Sequence, residues 1–344
     1  MDRYTILGRI GEGAHGIVFK AKHIESGELV ALKKVMLRRI EEGIPNAALR
    51  EIKALQEIED NPYVVRLRDV FSHGAGFVLA FDFMSSDLAE VIRNCDKPLA
   101  ESQVKSYMVM LLKGVHFLHS NQIMHRDLKP ANLLISATGM LKIADFGLAR
   151  VFQRLQGDRQ YSHQVATRWY RAPELLYSAR RYDEGVDLWA VGAVFGEMLA
   201  NSPLFPGESD IEQLYCVTRV LGTPSEASWP GMGDLPDYNK ISFDQLSPVP
   251  FEELLPDASQ AAVDLLKKFL VYRSDRRVRA GKALLDPYFF TEPLPCHHSE
   301  LPLPALSKTG PLHHAFEYST EAPLEDSLVD PALLIDGAAL SALY

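Results

Sequence analysis

His125-Arg126-Asp127-Leu128-Lys129-Pro130-Ala131-Asn132 places a carboxylate, an ammonium and an amide in one short stretch, directly after the apolar run Ser106–His119. That run has helical character, so the stretch reads as a loop leaving a helix of the core. Working outward, four further blocks stand in fixed order. Upstream are Gly11-Glu12-Gly13-Ala14-His15-Gly16-Ile17-Val18 and Val30-Ala31-Leu32-Lys33. Downstream are Asp145-Phe146-Gly147 and Ala172-Pro173-Glu174. Any one block arises easily by chance; five in this order and spacing do not.

Gly11, Gly13 and Gly16 lie between two strand candidates, where their small size lets backbone N–H groups approach phosphate oxygens. A glycine triplet alone also fits a dinucleotide-binding turn, but that turn feeds a helix. Here Ile17-Val18-Phe19-Lys20 follows, which reads as a strand. Lys33 falls in a strand and Glu51 in the next helix, and the pair reads either as an ion pair that sets Lys33 on nucleotide phosphates or as two surface charges on unrelated faces. Lys34 points to the opposite strand face and is not expected to substitute. Asn132 and Asp145 offer hard oxygen donors of the kind Mg2+ takes together with phosphate and water.

Composition limits the alternatives. The chain has 344 residues, 47% of them hydrophobic, with a net charge of −9. That is enough apolar material for one large or two modest domains, and a poor balance for a nucleic-acid binder. Cys95, Cys216 and Cys296 lack metal-type spacing and suggest free thiols in a reducing compartment. No apolar stretch is long enough to insert in a membrane, because Val186–Leu199 is interrupted by Asp187, Gly192 and Glu197.

Residues 4–84 suit a small strand-rich lobe. Tyr4–Gly11, Ile17–Lys22, Glu28–Val35, Leu67–His73 and Phe77–Phe83 read as strands, and Pro45–Leu55 as an amphipathic helix. Residues 85–290 read as a mainly helical lobe, with Val186–Leu199 and Ala261–Leu270 as further helices and a hinge near Asp82–Ser86. Residues 291–344 contain spaced prolines and are expected to form a mostly extended or disordered tail, with Leu333–Leu343 as a candidate short helix.

Taken together, the blocks resemble those of eukaryotic serine/threonine protein kinases of the cyclin-dependent group, over roughly residues 4–290. Trp169-Tyr170-Arg171-Ala172-Pro173-Glu174 and Leu221-Gly222-Thr223-Pro224 are the marks of that group. The resemblance implies an α+β, two-lobed fold and transfer of the γ-phosphoryl of ATP, with Mg2+, to Ser or Thr. It implies Asp127 as base, Lys129 on the γ-phosphate, and Asn132 and Asp145 on the metal. It also implies a nucleotide site of Ile10, Gly11, Glu12, Gly13, Gly16, Val18, Ala31, Lys33, Glu51, Phe81, Asp82, Met84 and Leu134. Val165, Ala166 and Arg171 would shape a pocket for a proline after the phosphoacceptor. Glu174 would pair with Arg277, Asp187 would hold the loop backbone, and His125 would be structural. The alternative is a kinase-like scaffold that binds ATP and partners without turnover; loss of Lys33, Asp127, Asn132 or Asp145 would signal it, and all four are present.

Regulation is implied the same way. Ser162 matches the group's activation-loop phosphosite, with Arg50, Arg126 and Arg150 as its receivers and an upstream kinase as the donor. Ala14 and His15 replace the group's Thr-Tyr pair, so that inhibitory mark has no acceptor here. The cyclin-contacting helix reads Pro45-Asn46-Ala47-Ala48-Leu49-Arg50-Glu51 where the group has Pro-Ser-Thr-Ala-Ile-Arg-Glu. The altered outward face leaves three readings open: a divergent cyclin or cyclin-like activator, another partner, or activity without one. The low cysteine count fits cytoplasmic and nuclear placement, and the resemblance further implies a role in cell-cycle or ciliary signalling.

Overall fold

The computed structural model describes residues 3–13, 16–36, 46–58, 60–74, 76–94, 98–152, 161–162 and 165–303. They form two compact units, one of residues 3–58 and 65–84, the other of residues 60–64 and 85–303.

The first unit is an antiparallel five-stranded sheet with one helix. Its elements are β1 (Tyr4–Gly13), β2 (Gly16–His23), β3 (Leu29–Met36), α1 (Asn46–Glu57), β4 (Leu67–His73) and β5 (Gly76–Asp82). The strand order is β1-β2-β3-β5-β4. Alternation sorts the side chains by face. Tyr4, Ile6, Phe19, Ala21, Val30, Leu32, Val78 and Ala80 build one apolar core. Val18, Ala31, Lys33, Leu79 and Phe81 alternate with them and so share the other face. Register makes that face continuous, since Lys33 lies opposite both Val18 and Leu79, and Ala31 opposite Phe81. Gly16 cannot be replaced here. Its φ is +135°, and a Cβ would collide with the Lys34 carbonyl oxygen. Ala14 and His15 lie outside the described residues. In α1 the buried positions Ala48, Glu51, Ala54 and Leu55 follow three- and four-residue spacing, so Glu51 is carried on the buried face.

The second unit opens with β6 (Ser86–Asp87) and α2 (Leu88–Asn94). It continues through α3 (Glu101–Ser120), β7 (Ile123–Met124), β8 (Leu133–Ile135), β9 (Leu141–Ile143) and β10 (Arg150–Val151). The helices α4 (Pro173–Leu176), α5 (Gly185–Ala200), α6 (Asp210–Leu221), α7 (Phe251–Leu254), α8 (Gln260–Phe269) and α9 (Ala280–Ala283) follow. Nearly every residue of α5 is buried, as expected of a helix apolar all round. Gly192 lets α5 approach α8: a Cβ there would meet Phe269 Cβ at 2.7 Å. Asp60–Val64 belongs with this unit through Ile143 N–H, which donates to Tyr63 O at 2.8 Å. Among the described residues no helix is long and apolar enough to cross a membrane.

Residues 291–303 run as a strap along this unit. Lys105, fully buried in α3, donates to the carbonyls of Thr291 and Pro293, each at 2.8 Å, with its ammonium 4.7 Å from the Tyr288 ring centre. Ser106 Oγ donates to Cys296 O, and Leu301 is buried. The thirteen residues therefore dock, through backbone carbonyls that composition does not reveal. The candidate helix Leu333–Leu343 lies outside the described residues.

Candidate active site

The loop after α3 owes its shape to a residue sixty positions away. Asp187, in the first turns of α5, is 1% exposed and accepts from His125 N–H at 2.9 Å and Arg126 N–H at 2.7 Å. His119 Nε2 donates to the same carboxylate at 2.9 Å. Burial alone would push this carboxyl up. The His119 hydrogen bond and charge and the Arg126 backbone bond outweigh it and hold Asp187 below the usual carboxylate range. Thus anchored, Arg126 adopts φ +68°, a conformation costly for any residue but glycine. His125 supports the same loop from within. Its Nε2 donates to Ala144 O at 2.9 Å, its Nδ1 accepts from Asp127 N–H at 3.2 Å, and its ring meets Phe146 edge-on. The structural role expected for His125 holds.

Asp127 is the centre that this scaffold presents. Its Oδ1 accepts from Thr167 N–H at 2.7 Å and Thr167 Oγ1 at 2.9 Å. Its Oδ2 accepts from Lys129 Nζ at 3.0 Å and Asn132 Nδ2 at 3.1 Å. Lys129 also donates to Thr167 Oγ1 at 2.7 Å. Both carboxylate oxygens are therefore fixed in direction. Thr167 was not singled out in the sequence; it stands forty residues beyond Asp127 and its role becomes visible only through these bonds.

The metal-ligand expectation can be tested on donor chemistry. Asn132 Nδ2 is engaged by Asp127 O at 2.8 Å and by Asp127 Oδ2, which fixes the amide plane and leaves Oδ1, a hard oxygen, at its other corner. Ala144 N–H donates to Asn132 O at 2.9 Å, so the residue before Asp145 lies against Asn132. Asp145 itself sits at φ +63°. Two hard oxygen donors on adjoining backbone fit Mg2+.

In the first unit, Lys33 Nζ meets both Glu51 oxygens, at 2.8 and 3.1 Å. Phe81 is buried on the Lys33 face, and Ile10 is exposed on β1. At the end of β5, Asp82 accepts from Arg68 Nε at 2.6 Å. Lys20 lies 4.5 Å over the Phe83 ring. Met84 closes this unit, and Leu134 lies on β8 of the other.

Arg171 donates through Nε to Val165 O and through Nη2 to Ala166 O, both at 2.9 Å, which brings the three expected pocket residues together. Glu174 and Arg277 form a buried, two-pronged pair at 2.7 Å each. Ser162 is exposed, and the structure gives it a contact the sequence did not suggest. Tyr182 OH donates to Ser162 O at 2.6 Å and accepts from Arg126 Nη1 at 2.8 Å. Arg150 is exposed on β10, and Arg50 lies on α1 of the first unit.

Comparison with known proteins agrees with these features. The protein kinase domain family matches residues 4–289. The chain is 70% identical to cyclin-dependent kinase 20 of Danio rerio, with 97% of this chain and 98% of that protein covered. The chain belongs to the cyclin-dependent protein kinases. The Homo sapiens cyclin-dependent kinase 20 is 65% identical over the same shares. Cyclin-dependent kinase D-1 of Oryza sativa subsp. indica is 44% identical, covering 88% of this chain and 70% of that protein. Among solved structures, a chain of the CAK complex from Chaetomium thermophilum bound to ATP-γ-S superposes with a TM-score of 0.80 at 34% identity. It covers 87% of this chain and 95% of that one. The two-lobed α+β fold follows, as does the activity: a serine/threonine kinase acting on protein substrates with ATP and Mg2+. The scaffold alternative is not favoured.

Proposed function

We propose that the kinase's residues divide the work of phosphoryl transfer as follows. Asp127 accepts the proton of the substrate hydroxyl as its oxygen attacks the γ-phosphorus and the bond to the β–γ bridging oxygen breaks. Lys129, held between Asp127 and Thr167, faces the charge that develops on the transferred group. Lys33, fixed by Glu51, holds the α- and β-phosphates. The backbone at Gly11, Glu12, Gly13 and Gly16 cradles phosphate, while Ile10, Val18, Ala31, Phe81, Leu134 and the backbone of Asp82 and Met84 receive the adenine. Asn132 and Asp145 would hold Mg2+, which neutralises phosphate charge when bound. The observation that carries this reading is the fourfold grip on Asp127, which fixes both oxygens of a carboxylate whose task is directional.

The same reading gives Ser or Thr followed by proline as the target, taken at Val165, Ala166 and Arg171. Phosphorylation of Ser162 by an upstream kinase would add about −1.5 to −2 charge beside Arg126 and order the loop. Arg50 and Arg150 complete the receiving set. A cyclin or cyclin-like activator that tolerates the altered α1 sequence is the proposed partner. Cytoplasm, nucleus and cilium are the proposed locations, and cell-cycle or ciliary signalling the proposed role.

The test is transfer from labelled MgATP to a Ser-Pro peptide and its Ser-Ala twin, with Asp145→Asn as control. Transfer to Ser-Pro alone, abolished in Asp145→Asn, is expected. Equal transfer to both peptides would sink the proline-directed part, and undiminished transfer by Asp145→Asn would sink the site assignment.

A further inference from the structure

Asp210 opens α6 and has no part in the roles given above. Its side chain is half exposed, yet Oδ1 accepts from Arg171 Nη1 at 3.1 Å and from Arg168 Nε at 2.8 Å. Arg171 is the residue whose other nitrogens hold the Val165 and Ala166 carbonyls. Ala166 sits at φ +66°, where an alanine stays only if its surroundings hold it.

Two neutral carbonyls are a weak set of partners for a largely buried guanidinium. Burial pulls Arg171 below its ordinary range, Arg168 adds to that, and the Asp210 and Asp127 charges work in the opposite direction. Of those two carboxylates, Asp210 is the one hydrogen-bonded to Arg171.

The start of α6 is itself clasped to the Arg168–Arg171 segment. Ser209 Oγ caps the helix by accepting from Glu212 N–H at 3.1 Å. Trp169 Nε1 donates to Gly207 O at 3.1 Å. The fully buried Gln213 accepts from Gly207 N–H at 3.0 Å and donates to Trp169 O at 3.4 Å. A Cβ at Gly207 would collide with the Gln213 backbone. Asp210 thus reaches Arg171 from a fixed point.

We propose that Asp210 is a positioning residue for substrate selection: it fixes the Arg171 guanidinium and, through it, keeps the Val165 and Ala166 carbonyls occupied. The proposal rests on the reading that this pocket receives the residue after the phosphoacceptor. The physical link is simple. An ordinary residue brings a backbone N–H that needs an acceptor, and the two carbonyls at hand are already taken. Proline brings none and loses nothing. When Asp210 is removed, Arg171 loses its hydrogen-bonded counter-charge, its hold on the carbonyls loosens, and the penalty on other residues falls.

The test uses the full chain and measures kcat and KM separately for a Ser-Pro peptide, its Ser-Ala twin and ATP. Asp210→Ala is expected to lower the Ser-Pro to Ser-Ala ratio of kcat/KM about tenfold, through peptide KM, with the KM for ATP unchanged. Asp210→Asn should fall between, and Asp210→Glu should restore most of the ratio. If Asp210→Ala fails to fold, the Asn and Glu variants carry the same comparison. A wild-type enzyme that discriminates, paired with Asp210→Ala or Asp210→Asn enzymes that discriminate equally well, overturns this proposal alone. A wild-type enzyme that does not discriminate overturns the proline-directed reading and this proposal with it. A ratio that moves only in step with the KM for ATP also overturns it, because a merely structural defect would produce that pattern.

Discussion

Two aspartates in the larger unit, Asp187 and Asp127, are both wrapped in hydrogen bonds, and the difference between their partners separates building from acting. Asp187 is engaged by two backbone N–H groups and a buried histidine; all of its capacity goes into the shape of the chain. Asp127 is engaged chiefly by side chains that can release it or follow it: Lys129, Asn132 and the Thr167 hydroxyl. A carboxylate bound to backbone fixes a loop. A carboxylate bound to flexible polar groups is itself aimed.

The contrast breaks most sharply under Asp187→Asn. The substitution keeps the size and leaves buried donors facing an amide. Removing one partner of a buried charged cluster costs about 3–5 kcal/mol. At about 2–4 °C per kcal/mol in a large domain, the thermal midpoint should drop by roughly 10 °C in a melting experiment. The effect should also depend on pH. The folded-state value of Asp187 is depressed, so its contribution is complete above the unfolded value of about 3.9 and is lost as pH falls through the folded value. The gap in thermal midpoint between wild type and Asp187→Asn should therefore narrow below about pH 4. A gap that stayed constant down to pH 3 would mean the charge contributes nothing.

Asp127→Asn should do the reverse: turnover falls by about 10²–10⁴ while the thermal midpoint stays within a few degrees. A variant that lost stability instead would place Asp127 in the same class as Asp187. Thr167→Val sharpens the comparison at smaller scale. It removes a hydroxyl that bonds Asp127 and Lys129 and keeps the backbone N–H bond. Hydrogen bonds to charged groups are worth about 1.5–3 kcal/mol, so kcat should fall about 10- to 100-fold, and Thr167→Ser should recover most of it. The mildest change is Tyr182→Phe, which cuts the link between Arg126 and the Ser162 carbonyl. A loss of about 0.5–1.5 kcal/mol is expected, read as faster proteolysis at the Ser162 segment with little change elsewhere.

What could be read from the sequence follows the same divide. The strands of the first unit announce themselves by alternation and turn residues, and their observed limits lie within two positions of the expected ones, with Leu67–His73 unchanged. Asp127, Lys129, Asn132 and Lys33 are recognisable because their chemistry is packed into short motifs. Thr167, Tyr182 and Asp210 are not, because each acts through a partner chosen by tertiary folding across twenty residues or more. Ser209-Asp210-Ile211-Glu212 before Leu214, Val217 and Val220 is a helix-start pattern legible in the sequence, and it marks α6. The strap was hidden for a different reason. Prolines at 293, 295, 302 and 304 suggest a loose tail, and nothing in their spacing reveals that the carbonyls of Thr291, Pro293 and Cys296 serve Lys105 and Ser106.

That strap separates two meanings of a domain's end. The kinase family match stops at residue 289, but the larger unit's packing does not. An expression boundary drawn at the family limit would delete the carbonyl acceptors of an ammonium that has no access to water, and would uncover the face of α3 that Cys296 covers. The fragment so made would be shorter by little and poorer by a buried cation's entire set of carbonyl partners. The residues that complete this fold are thus ones that the limit of the family match would trim away.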